Sequence, residues 1–197
     1  MKKAFNLTLL PIASILFAIY LYMYFFKDWM YFYLTNLMQT YSFIDLLTIS
    51  ITTTLIYLIA IQVINRKFSP ILTMAAYLIY FACLLFLLFG KGSQIQGIST
   101  DTFDFIDPFL AGNLRVITIG NVAAFIPIGF LFKKRGFFIT LATAILLISS
   151  VEMLQYYLKV GYFDTGDIFL NVCGIILGYL AIRVVNAISK RNYPKPI

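Results

Sequence analysis

Six stretches of the chain run almost unbroken through apolar side chains, at roughly 6–26, 43–64, 69–90, 114–132, 137–158 and 167–187. A helix rises about 1.5 Å per residue, so some twenty such residues cover the ~30 Å hydrocarbon core of a bilayer. A soluble fold cannot hide this much apolar surface. Hydrophobic residues make up 61% of the 197, and charged residues only 12%, half the usual share of about 25%. The sequence therefore predicts an all-α, polytopic membrane helical bundle of about six transmembrane helices, forming one integral membrane domain over 1–197. The first run follows Lys2 and Lys3 as a signal peptide would. It is too long for one, however, and continues without a small-residue cleavage site into the aromatic segment Tyr20 to Tyr33, so a retained helix is expected.

Basic residues orient such a bundle. With a cytoplasmic N-terminus, the inner side receives Lys2, Lys3, Arg66, Lys67, Lys133, Lys134, Arg135, Arg183, Lys190, Arg191 and Lys195, and the outer side only Lys27, Lys91, Arg115 and Lys159. This asymmetry places both termini in the cytoplasm, and it accounts for the net charge of +7 through anionic headgroups, without a nucleic-acid partner. All the acidic residues (Asp28, Asp45, Asp101, Asp104, Asp107, Glu152, Asp164 and Asp167) fall outside or in the outer half of a helix. Trp29, Tyr31 and Tyr33 read as an outer aromatic belt. The inner connections are short, whereas the outer loop from about Lys91 to Asn113 carries three aspartates. The tail NYPKPI is expected to be disordered. There is no histidine, which excludes a histidine metal site. Cys83 and Cys173 lie far apart in apolar segments, so neither a disulfide nor a redox site is expected. No metal or cofactor is assigned, and a hard cation such as Mg²⁺ on carboxylates belongs only to the enzyme reading below.

Polar residues interrupt the last three apolar runs at similar depths. Counting from the outer boundary, Asn121 lies ~10 Å down, Glu152 ~9 Å, Gln155 ~5 Å and Asn171 ~6 Å, with Asp167 near the mouth of its helix. Glu152 and Gln155 are three residues apart, Asp167 and Asn171 four apart, so each pair shares one helical face. An ionised glutamate facing lipid costs a few kcal/mol. Glu152 must face the bundle, be protonated or pair with a cation, and Arg115 is the best partner in sequence, followed by Lys159. Two roles remain open: a hydrogen-bonded network fastening three helices, or a pocket. Asp164 also suits the N-cap of the last helix and Asp167 its first turn. Gly161 and Gly166 permit a tight turn, and Gly174 and Gly178 form a GxxxG surface for close helix packing. Pro127 and Gly129 are expected to bend the fourth helix.

Two segments carry a family resemblance. Asn121-Val-Ala-Ala-Phe-Ile-Pro-Ile-Gly-Phe resembles the NxxxFxPxG helix of the VanZ-like family, and Glu152-Met-Leu-Gln, followed by GYFDTGDIFLN, Gly174 and ILGY, resembles its ExxQ…DxxDxxxN…GxxxG ending. The resemblance spans roughly Asp104 to Ile182. It departs from the pattern at FIDPF, where Phe105 replaces a common asparagine and Asp107 precedes Pro108, and at Gly161, where many members have arginine. It implies an accessory resistance protein of the Gram-positive cell membrane that lowers susceptibility to teicoplanin, with less effect on vancomycin.

Three functions compete. An outer pocket of Arg115, Asn121, Glu152, Gln155, Asp164, Asp167 and Asn171 would bind or modulate membrane lipids, a lipid-linked cell-wall precursor or the lipoglycopeptide itself. An intramembrane enzyme would instead use Glu152 with Asp164 or Asp167 as an acid–base pair on a lipid headgroup, although no histidine, serine triad or arginine cluster accompanies them. A transporter would use the intramembrane carboxylates for proton coupling, yet neither an inverted repeat nor a polar lining in the inner half is evident. The first reading is favoured.

Overall fold

The computed structural model describes residues 2–90 and 95–192; Lys91, residues 193–197 and the side chains of Trp29 and Tyr33 lie outside the described residues. The chain forms two compact units, divided between Gly92 and Ser93.

In the first unit, α1 (Lys2–Leu7) and α2 (Leu9–Leu21) are separated by a turn at Thr8. Pro11 supplies no N–H to continue the ladder back into α1, which explains a break there. A π-helical turn, Tyr22–Phe26, leads into α3 (Lys27–Tyr33) and α4 (Thr35–Thr40), followed by α5 (Ile44–Asn65) and α6 (Pro70–Phe89). Tyr22, Met30, Leu34, Met38 and Ile44 form its buried cluster. Polar groups join the helices in pairs: the Tyr22 hydroxyl donates to Asp45 at 2.5 Å, and Asn6 to Asn65 at 3.1 Å. Thr73 donates to the buried Gln62 at 2.9 Å.

The second unit contains β1 (Ile95–Ser99), α7 (Ile106–Leu110), α8 (Arg115–Leu131), α9 (Phe137–Tyr157), β2 (Val160–Asp164) and α10 (Thr165–Asn192). The outer loop expected over 91–113 is thus partly regular. β1 pairs in parallel with β2, Ile95 opposite Val160 and Ser99 opposite Asp164. Gly97 is required in this ladder, because a Cβ there would enter the ring of Tyr162.

Helix α10 is the centre of the unit, and its closest neighbour is α8. Their crossing is made of glycine on both sides. A Cβ on Gly174 would strike the Val122 carbonyl, one on Gly178 the Ile126 carbonyl, and one on Gly129 the backbone at Ile175, Gly178 and Tyr179. Without side chains at the crossing, the two backbones lie in contact over two turns. Pro127 stands inside α8 between Ile126 and Gly129, within this contact. At the far end of α10, Tyr179 is 1% exposed and its hydroxyl donates to the Arg135 carbonyl at 3.2 Å, while Arg183 donates to the same hydroxyl. This fixes the connection between α8 and α9.

Five helices are long and apolar enough to cross a membrane: Phe5–Phe26, Ile44–Asn65, Pro70–Phe89, Phe137–Tyr157 and Thr165–Ile188. Arg115–Leu131 is apolar but has only 17 residues, a length of ~26 Å. The chain is an all-α membrane protein carrying one small two-stranded ladder. The six apolar runs read from sequence each coincide with one of these helices within a few residues.

Candidate functional site

The residues singled out by sequence meet at one end of the second unit. Glu152 and Gln155 lie on α9, each 2% exposed, and Asn171 on α10 is 3% exposed. Half-buried Asn121 on α8 donates through Nδ2 to Asp167 Oδ1 at 2.6 Å, tying α8 to the first turn of α10. The Asp164 N–H approaches Glu152 Oε2 at 3.5 Å, which ties α9 to the end of β2. Three helices and a strand therefore position the site, and each contributes a polar side chain at the same level.

Asp164 caps α10. Its Oδ1 accepts from the N–H groups of Gly166 at 2.7 Å and Asp167 at 3.3 Å, meeting two of the donors a helix start leaves unpaired. We expect Asp164→Ala to cost about 1 kcal/mol, the usual loss of a cap, and Asp164→Asn to cost much less, both read from thermal unfolding in detergent. Gly166 is surrounded by oxygen: a Cβ there would lie 3.1 Å from Asp164 Oδ1, 3.4 Å from the Thr102 carbonyl and 3.6 Å from Asp104 Oδ1. The Thr102 and Thr165 hydroxyls are bonded at 3.0 Å beside it. Burial, then the charges of Asp164 and Asp101, push the Asp104 carboxyl above its ordinary value, against a backbone hydrogen bond from Phe105. The segment before α7 is further held by Phe103 and Phe105, whose rings lie 5.5 and 6.3 Å from that of Phe169.

Arg115 is not part of the polar group. It was expected to neutralise Glu152, but its guanidinium donates to the carbonyls of Phe109 at 2.8 Å and Leu110 at 3.2 Å and lies over the Phe109 ring. The reason is local: α7 ends just before α8 begins, which brings its last carbonyls within reach of Arg115, that of Phe109 also accepting from the Gly112 N–H at 3.2 Å. Gly112, at φ 92, and Leu114, at φ 55, turn the chain between the two helices. Lys159, the second candidate, occupies a left-handed turn (φ 56) at the end of α9 and is exposed.

One acceptor in the group is unspent. Asn171 Oδ1 is buried and has no hydrogen-bond partner. Most buried polar atoms in proteins are paired. Asn171 stands one turn inward of Asp167 on the same face. Among the described residues no group of three or more histidine, cysteine or acidic side chains is arranged to hold a metal ion. Sequence reasoning missed the place of Gly161, which is buried against Gln155, with a Cβ there 3.4 Å from Gln155 Cβ. It also missed the oxygen-lined rim formed by Thr102, Asp104 and Thr165, since no spacing rule links residues sixty positions apart.

A sequence profile of the VanZ/LLP1 family matches residues 12–186 of the chain. The chain belongs to the VanZ/LLP1 family. It is similar to Protein VanZ of Enterococcus faecium, with 32% identity over 97 residues, covering 47% of this chain and 58% of that protein. The matched part is thus little more than half of the relative's length. No solved structure matches the fold. In VanZ/LLP1 terms, the polar group comes from both segments that carry the family pattern, Asn121 from the first and Glu152, Gln155, Asp164, Asp167 and Asn171 from the second.

Proposed function

We propose that this VanZ/LLP1 protein acts at the outer face of a bacterial cell membrane, where its polar site binds or modulates an envelope lipid, a lipid-linked wall precursor or the drug. It thereby lowers susceptibility to lipoglycopeptides of the teicoplanin type, with less effect on vancomycin. In this reading the chain crosses the membrane six times, α8 included, with both termini in the cytoplasm. The excess of lysine and arginine at one set of connections supports that orientation.

The observation that carries the reading is the unspent, buried Asn171 Oδ1, one turn along α10 from Asp167. A network serving only to fasten helices gains from each member being bonded, and such bonds contribute only about 0.6 kcal/mol in membranes. A buried acceptor held without a partner is better explained by a donor that arrives with a ligand. Binding is favoured over catalysis because the carboxylates are already engaged as acceptors: Asp164 by the cap and Asp167 by Asn121.

Expression of the wild-type chain in a sensitive Gram-positive host is expected to raise the inhibitory concentration of teicoplanin several-fold and that of vancomycin less. Asn171→Leu is expected to remove this protection while leaving the melting temperature equal or higher, because no bond is broken in the free protein. Protection retained in full by Asn171→Leu at equal abundance would reduce the residue to packing.

A further inference from the structure

Beside the polar site, α9 and α10 enclose an apolar groove of about 720 Å³, within the second unit. Its walls include Leu141 and Ile145 from α9 and Val172 and Ile176 from α10, and the paired hydroxyls of Thr102 and Thr165 stand at one end. The volume falls in the range of about 300–1,000 Å³ typical of small-molecule sites. From Thr165 to Leu177 the groove follows α10 for ~18 Å, slightly more than one leaflet of a ~30 Å hydrocarbon core. Its length and polarity match an acyl chain that enters from the bilayer with its headgroup at the threonine end.

A tail alone cannot select a lipid. Bilayer chains are as apolar as the groove wall, so moving one from lipid to protein yields little hydrophobic gain. The headgroup must decide, and its surroundings are acidic. Asp101 and Asp104 are exposed near the rim, Asp104 Oδ1 and Asp164 Oδ1 converge on Gly166 beside Thr102, and Asp167 follows in the next position of α10. Among the described residues no lysine or arginine pairs with Asp101, Asp104 or Asp164. Arg115 is held by the α7 carbonyls. Burial first, and then the charges of Asp164 and Asp101, raise the Asp104 carboxyl. A phosphate head without an amine would be repelled, whereas a protonated amine would relieve the carboxylates.

We propose that the α9–α10 groove binds one acyl chain of a membrane lipid whose headgroup carries a protonated amine, held by the Asp101, Asp104 and Asp164 carboxylates above the Thr102–Thr165 rim. This rests on the reading of the carboxylate end as the outer face, and it narrows the ligand of that reading to an aminated lipid.

The test is lipid retention. The full chain is reconstituted in phosphatidylcholine nanodiscs containing equal amounts of phosphatidylglycerol and lysyl-phosphatidylglycerol, and the retained lipids are counted by native mass spectrometry. The wild type is expected to retain the lysyl lipid several-fold over phosphatidylglycerol. Asp104→Asn together with Asp101→Asn, both at exposed positions, is expected to remove the preference. Ile145→Trp, which fills the groove, is expected to lower retention of both lipids. Equal retention of the two lipids by the wild type, a preference for phosphatidylglycerol, or a preference unaffected by the double aspartate change would overturn the proposal. Lipid selection in a protein that leaves teicoplanin susceptibility unchanged would retire the resistance reading and keep the groove. Protection without lipid selection would do the reverse.

Discussion

Gly178→Val is expected to lower the melting temperature of the detergent-solubilised protein steeply, or to prevent its accumulation in the membrane. The first atom added would meet the Ile126 carbonyl and the Cα of Gly129, both backbone, with no side chain free to rotate away. Overpacking a tight interior costs ~1–3 kcal/mol when side chains can adjust, and here the helices themselves must separate. Separation also breaks the contacts of Gly174 with the Val122 carbonyl and draws Asn121 away from Asp167. Gly120, on α8, has open space at its Cβ. Gly120→Ala should therefore be tolerated or gain up to about 1 kcal/mol from helix propensity. A parallel loss in both variants, measured by thermal unfolding, would show that α8 and α10 are sensitive to any added side chain and remove the crossing as its cause.

The second large effect is expected at Glu152, and it divides stability from function. The carboxyl is 2% exposed on an apolar helix and accepts from the Asp164 N–H at a long 3.5 Å. Holding an ionised carboxyl out of water costs several kcal/mol, a cost that an apolar side chain of similar size does not carry. Glu152→Leu is thus expected to keep or raise the melting temperature while eliminating protection entirely. A residue retained against stability in this way serves a ligand. If Glu152→Leu instead lowered stability by as much as Gly178→Val, the carboxyl would be part of the framework.

Much of this was legible in the sequence because a bilayer imposes strict rules. Apolar run length located the helices within a few residues, and GxxxG at Gly174 and Gly178 marked the face at which α10 meets a neighbour. The polar site was legible through depth: helix rise alone set Asn121, Glu152, Gln155 and Asn171 at one level. The N-cap of α10 followed from DTGD. Partner choice was not legible. Arg115 was the best partner for Glu152 in sequence, but carbonyls at the end of α7 compete for the same guanidinium, and α7 itself leaves little trace in FIDPF. The parallel pairing of β1 with β2 and the Thr102–Thr165 bond join segments more than sixty residues apart, which no local pattern encodes. The groove depends on how α9 and α10 diverge, a property of packing and not of periodicity.

The central claim is that the polar end of α8, α9 and α10 is where this protein acts. It is tested most directly by teicoplanin susceptibility in a sensitive Gram-positive host expressing wild type, Glu152→Leu or Gly120→Ala, with membrane abundance matched by immunoblot. Protection by wild type and Gly120→Ala, absent in Glu152→Leu, is the predicted result. Equal protection by all three would contradict it and leave Glu152 as a structural residue.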